Sequence, residues 1–343
     1  MTIFILMYIL LGFTALLSQL MSKESARKFS WFAGFIILYL ILALRADNIG
    51  TDLQMYIPHF YSSGSYGSRM ESGYNYLNTF IFGITPNFSF FLAVVAFLSL
   101  YPVSILIKRY SKSIIFSYII FASFILYHFM FSGLRQAIAI GIVSISLIFL
   151  FKNKLLPFII SVLIASTFHV TAIIMLIAYP LCNWVKMSKF KYILASIISL
   201  SVIFTLRPIL LLVLPLVFGD GKYMSYIIKD VSPAYNFFII LVLIFLFTFI
   251  KPKEDKLLVK YRMLIFCAVL CQSLGFISQE ATRIGYYFYL AIPLAIPDVI
   301  SSMKPRSRRQ LYTAGISAFM IFLFFYANGG GYLDVIPYAF FWE

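Results

Sequence analysis

The sequence predicts an all-α, polytopic integral membrane protein, and three observations carry that expectation. Of its 343 residues 62% are hydrophobic and 11% are charged, with a mean hydropathy of +0.96. Its apolar runs lie end to end with almost no soluble-type sequence between them, the pattern of successive membrane-spanning helices. The bases are also sorted. Twenty of the twenty-seven lysines and arginines fall in six short segments: Lys23 to Lys28, Lys108 to Lys112, Lys152 to Lys154, Lys186 to Lys191, Lys251 to Arg262 and Lys304 to Arg309. The positive-inside rule places these segments in the cytoplasm. Twenty bases then face four acids on the cytoplasmic side, and seven bases face eight acids outside. The net charge of +15 therefore reports topology, and a nucleic-acid partner is set aside.

Walking from one basic segment to the next gives about twelve crossings with both termini outside. The spans run over 1–21, 31–45, 87–107, 114–130, 136–151, 155–168, 170–185, 192–217, 235–250, 262–277, 284–300 and 311–327. The first lacks a basic leader and a small-residue cleavage site, so it reads as a retained helix. Without an internal repeat or a low-complexity linker, residues 1–343 read as one integral domain with two longer outer segments, 45–86 and 219–233. The first of these carries Tyr56, Tyr61, Tyr66, Tyr74 and Tyr76. Its stretch from Tyr74 to Phe82 is too short to cross and reads as an amphipathic helix at the outer interface. Those tyrosines fit an interfacial aromatic belt first and a sugar-stacking surface second.

The most informative spacing lies between Lys154 and Lys186, where only 31 residues must go out and return, although two full crossings take about 40. The outgoing run, Leu155 to Phe168, spans about 21 Å of a hydrocarbon core of about 30 Å. His169 at its end is then recessed, and non-helical backbone at that depth has to be buried in protein or line a wet cavity. The expectation is an outward-facing cavity with His169 on its floor. The same counting puts Arg207 about 24 Å up from the cytoplasmic side. Arg135 sits in the tight connection Phe131-Ser-Gly-Leu-Arg-Gln136, Arg283 follows Ser278-Gln-Glu-Ala-Thr282 in a minimal turn, and Arg45 closes the second span just before Asp47 and Asp52.

Ionisable groups at membrane depth are costly and are functional candidates by default. Five of the seven outer bases are arginine, whereas the cytoplasmic segments hold fourteen lysines and six arginines. The planar guanidinium fork suits bidentate phosphate contacts, so the cluster points to a phosphate- or pyrophosphate-bearing ligand. The competing account pairs each arginine with a nearby acid, Arg45 with Asp47 and Arg283 with Glu280, or lets it snorkel to headgroups. All three histidines map to the outer half. His59 and His128 read as core residues, and His169, in a wet recess, as a proton acceptor. Cys182, Cys267 and Cys271 lie inside apolar runs as small buried hydrophobes. No His and Asp stand at ligand spacing, so no metal is expected. Gly219-Asp-Gly221 and Asn328-Gly-Gly-Gly331 are turn chemistry without the strand and helix of a nucleotide-binding loop.

Several motifs then line up: Leu44-Arg-Ala-Asp-Asn-Ile-Gly-Thr-Asp52 with Tyr56, Glu71 with Tyr74, Ser132-Gly-Leu-Arg-Gln-Ala-Ile-Ala139, Ser166-Thr-Phe-His-Val-Thr-Ala172, Arg283 with Tyr286 and Tyr287, and Ile336-Pro-Tyr338. From about residue 40 onward, their order and spacing resemble the EpsG family of bacterial exopolysaccharide proteins, related in role to the Wzy polymerases. The family's acidic residue followed by proline is Glu71-Ser here.

The resemblance implies a GT-C-like helical architecture in the bacterial plasma membrane. It also implies a polymerase that joins undecaprenyl-pyrophosphate-linked oligosaccharide repeat units at the outer face, for O-antigen, capsule or exopolysaccharide, without metal or other cofactor. Membrane lipids, and the flippase and chain-length regulator of the same pathway, are the implied partners. In this reading Arg135, Arg283 and Arg207 hold the donor pyrophosphate, and His169 activates the acceptor hydroxyl, with Asp52 and Glu280 competing for that role. Arg45, Asp52 and Tyr56 position sugar or pyrophosphate at the cavity mouth, and Glu71, Gln136, Tyr286 and Tyr338 complete the substrate-binding set. A flippase for the lipid-linked oligosaccharide is the alternative. It calls for cations through the full membrane depth and a pseudo-symmetric repeat. A membrane acyltransferase, which wants its histidine at a cytoplasmic or mid-membrane site, is a third reading.

Overall fold

The computed structural model describes residues 1–62, 70–185, 256–276, 278, 280–329 and 332–343, and between 186 and 255 only positions 190, 193–198, 201, 205, 208–209, 240 and 242. Helix dominates throughout. Among the described residues five helices are long and apolar enough to cross a membrane, or seven if two bent pairs each count as one span. The chain is a multi-pass helical membrane protein. Most of the expected spans at 192–217 and 235–250, and the whole outer segment 219–233 with its Gly-Asp-Gly turn, lie outside the described residues.

Two compact units are present, 1–173 with 292–343, and 174–291. In the first, α1 covers Thr2–Ser18, α2 Lys23–Ala43, α3 Leu53–Tyr61, α4 Ser72–Ile84, α5 Phe88–Tyr110, α6 Ile114–Ser123, α7 Ile125–Ser132, α8 Leu134–Phe151 and α9 Leu155–Phe168. Every expected span in this stretch coincides with a helix or a bent pair. The run 114–130 bends by 58° between α6 and α7. Two starts differ from the apolar runs: α2 begins at Lys23 and the last long helix at Arg306. Helix geometry continues past the hydrocarbon edge, and Ser22 caps α2 by accepting from the Ser25 amide. The segment 45–86 forms two short helices, α3 and α4, where the sequence suggested one. Its described tyrosines divide unexpectedly: Tyr56 and Tyr74 are buried in an aromatic core with Phe60, Phe88 and Phe91, and Tyr61 and Tyr76 are exposed. Belt and stacking surface were the readings for all of them, but packing claims these two.

Helix pairing sorts the charges of this unit. A tight turn at Lys152 to Lys154 makes α8 and α9 an antiparallel hairpin. Gly141 lets α8 approach the backbone of α5, where a Cβ would lie 2.9 Å from the Ser99 carbonyl oxygen. Tyr110 stacks edge-on against Phe151, and Arg27 donates to the carbonyls of Lys108 and Ser111. These contacts gather the starts of α2, α6 and α9 and the ends of α5 and α8 at one basic end. The start of α8 and the end of α9 therefore meet at the opposite end.

The second unit holds the 3-10 stretch into α10, Ala178–Trp184, then α11, Lys256–Ser273, the 3-10 segment Glu280–Gly285 and the single turn α12, Tyr286–Tyr289. Gly285 packs on α11 so closely that a Cβ would lie 2.9 Å from the Cys271 Cβ, and Tyr289 donates to Gln272. The three cysteines are free and buried. The chain re-enters the first unit with α13, Ile292–Ser301, and α14, Arg306–Gly329.

Candidate functional site

The Ser132-Gly-Leu-Arg motif opens α8, which puts Arg135 on its first turn, and His169 is the extended residue that ends α9. The hairpin brings both to the same end of the first unit. The third partner comes from α4, whose N-cap residue is Glu71. Gly73 allows that helix to sit against the end of α9, because a Cβ there would lie 2.9 Å from the Thr167 carbonyl oxygen. Glu71 then spans the gap. Its Oε2 accepts from Arg135 Nη1 at 2.6 Å, and its Oε1 lies 3.1 Å from His169 Nδ1 and accepts the Val170 amide at 3.2 Å.

One carboxylate thus holds an arginine and a histidine together, and each of the three side chains keeps about a fifth of its surface exposed. Tyr56 completes the cluster, taking a hydrogen bond from Arg135 Nε at 3.4 Å. Burial raises the Tyr56 hydroxyl above its ordinary range, with the Arg135 charge opposing, so the phenol stays protonated at neutral pH.

The loop before α3 is fastened to the same turn. Thr51 Oγ1 and Ser132 Oγ share a hydrogen bond of 2.8 Å, and the Asp52 amide donates to Ser132 Oγ at 3.0 Å. Gly50 makes this possible with φ of +120°, and any Cβ there would overlap the Phe131 carbonyl oxygen. Asp52 is therefore anchored one helical turn before Tyr56, and Gln136 is buried beside Arg135 in sequence.

Burial alone would raise the Glu71 carboxyl, but the His169 hydrogen bond and the Arg135 charge outweigh it and hold the group at about 2. An ionised carboxylate can only accept, so Nδ1 of His169 carries a hydrogen, and in the neutral imidazole the lone pair is then on Nε2. The linkage has a defined sign. The folded value lies below the ordinary 4.5, so the stabilisation is complete above that pH and fades as pH falls from 4.5 toward 2. Across that window the wild-type melting temperature in detergent should fall more steeply than that of Glu71→Gln. Parallel curves would show that the carboxylate is not held this way.

The other candidates are elsewhere. Arg45 is 1% exposed, with its guanidinium 5.3 Å from the Phe131 ring and donating to the Leu42 carbonyl. The C-terminal segment covers it: Ala46 donates to the Ala339 carbonyl, Phe341 to that of Leu44, and the Tyr338 hydroxyl to that of Ile41. Among the described residues no ion pair joins Arg45 to Asp47. Glu71 pairs with Arg135 from 64 positions away. The expectation that Arg45 pairs with Asp47 is corrected accordingly, since Arg45 turns inward to backbone and ring. Glu280, Arg283 and Tyr286 belong to the second unit, and Arg207 lies outside the described residues. His59 stacks on Tyr74, and His128 lies beside Phe324 with Asn328 at 3.5 Å, so both are core histidines as the sequence reading had them. Glu71 had been placed only in a substrate-binding set. Its motif position was the sole signal of its central place.

A multi-pass helical protein with an Arg–Glu–His cluster where two helix termini and a short helix converge defines the class: a membrane protein with a polar, partly exposed site at one end of its helices. The EpsG family model matches residues 28–340, and the chain belongs to the EpsG family. That family is associated with exopolysaccharide biosynthesis and Wzy-type polymerases, which makes this chain a membrane protein of polysaccharide biosynthesis. No curated protein and no solved structure matches it.

Proposed function

We propose that this protein is a polysaccharide polymerase that joins undecaprenyl-pyrophosphate-linked oligosaccharide repeat units at the outer face of the plasma membrane. The observation that carries the reading is the Glu71 carboxylate, which holds Arg135 and His169 in one cluster through the Nδ1 side of the imidazole. In the proposed reaction His169 Nε2 takes the proton of the acceptor sugar hydroxyl as its oxygen bonds to the anomeric carbon of the donor. The bond from that carbon to the pyrophosphate oxygen breaks, and undecaprenyl pyrophosphate leaves with its added negative charge facing Arg135. Glu71 stabilises the imidazolium that forms, and Asp52 and Tyr56 contact the sugar. Arg135 commits Nη1 to Glu71 and Nε to Tyr56. Its Nη2 is the donor assigned to the pyrophosphate. Arg207, Arg283 and Glu280 stay in the proposal as residues of the later part of the chain.

The test is incubation of the purified protein with the undecaprenyl-pyrophosphate-linked repeat unit. A ladder of lengthened glycans supports the polymerase, and unchanged substrate that crosses vesicle membranes establishes the flippase instead. Arg135→Lys keeps the charge and loses the fork. Losing one charge-assisted hydrogen bond costs about 1.5–3 kcal/mol, so ladder formation should slow about ten- to hundredfold. Full activity of that variant would remove the role of the guanidinium fork, which holds Glu71, Tyr56 and the pyrophosphate at once.

A further inference from the structure

At the basic end of the first unit, Gln19 at the end of α1 and Arg306, Arg309, Gln310, Thr313 and Ala314 of α14 line a cavity of about 410 Å³. The walls beyond it are apolar and open. Only 11% of the apolar window of α14 is buried, and Leu311, Tyr312, Phe319 and Phe322 are exposed, as are Phe13, Leu16 and Leu20 on the α1 side. The two helices run antiparallel, both against α6, and touch each other at their far ends through Phe4, Tyr8, Phe324 and Phe325. Two guanidinium groups and two amides at the mouth of a lipid-facing channel match a phosphodiester headgroup whose acyl chains lie along the walls. Arg309 gives Nη1 to the Ser301 carbonyl at 3.3 Å, the one side-chain hydrogen bond it makes among the described residues.

We propose that this cavity is a binding site for an anionic glycerophospholipid of the phosphatidylglycerol class. A soluble phosphate would not need the exposed apolar walls. The reacting pyrophosphate is not the occupant either, because the cavity lies at the opposite end of the helices from Arg135 and His169, the end whose charge pattern assigns it to the cytoplasm.

Native mass spectrometry of the full chain, titrated with phosphatidylglycerol, phosphatidylcholine or inorganic phosphate, tests this. Wild type should retain phosphatidylglycerol preferentially. Arg306→Gln with Arg309→Gln should weaken its tightest binding about ten- to thirtyfold, whereas Lys23→Gln with Lys112→Gln, at the same end, should leave it unchanged. The double lysine replacement of the two arginines, which preserves charge, should recover most of the binding and so separates loss of the site from misfolding. Equal retention by the glutamine double variant, equal retention of phosphatidylcholine, or displacement by inorganic phosphate at matching concentration would each overturn the assignment.

Discussion

Replacing His169 by alanine should slow glycan extension by about 10²- to 10⁴-fold, the usual worth of a positioned general base. Glu71→Gln should lose nearly as much. A glutamine at this place can still accept from His169, but its amide then faces the Arg135 guanidinium, donor against donor, and the negative charge that stabilises imidazolium is gone. The two residues act as a unit through the 3.1 Å contact between Nδ1 and Oε1. Accordingly the double variant should be little slower than His169→Ala alone. Initial rates of ladder formation for the four proteins decide it. Multiplicative losses would mean that Glu71 serves Arg135 only and that the base is elsewhere, with Asp52 and Glu280 the remaining carboxylates.

The largest effect on folding should come from Gly50→Ala. Residue 50 has φ of +120°, a region that costs an L-residue about 1–3 kcal/mol, and the new Cβ meets backbone oxygen that cannot swing aside. The loop has one way to relieve the overlap, which is to leave Phe131 and give up the bonds from Thr51 and Asp52 to Ser132. Stability should drop by about 2–4 kcal/mol. Activity should fall as well, because the same retreat carries Tyr56 away from Arg135. A melting temperature within a degree or so of wild type would show that the loop is not pinned there.

Much of this architecture is written locally in the chain. Apolar runs and basic segments mark where helices begin and end because hydrocarbon and headgroup act on each residue wherever its neighbours lie. The 14 residues of α9 and its break at His169 were legible from spacing alone, and so was the single turn joining α7 to α8 at Gly133. What stayed hidden depends on approach between distant segments. Glu71 reaches Arg135 because Gly73 tolerates Thr167, a fact about two surfaces that neither segment states by itself. Tyr56 and Tyr74 looked like interfacial residues for the same reason: of the phenylalanines that share their core, Phe88 and Phe91 stand fourteen to thirty-five positions further along the chain. Arg45 was placed by its neighbour Asp47, but the C-terminal segment that covers it arrives almost three hundred positions later.

The shared carboxylate has a consequence for how substrate is found. Glu71 cancels the charge of Arg135, so the Arg135–Glu71 pair projects almost no field into the surrounding water. An anionic headgroup is then not drawn in from a distance. In the proposed reaction it has to be delivered by lateral diffusion of its lipid and meets Nη2 of Arg135 at contact range, while Nη1 stays on Glu71. Encounter of this kind depends on how much lipid-linked donor the leaflet holds and only weakly on ionic strength, because there is little long-range attraction for salt to screen.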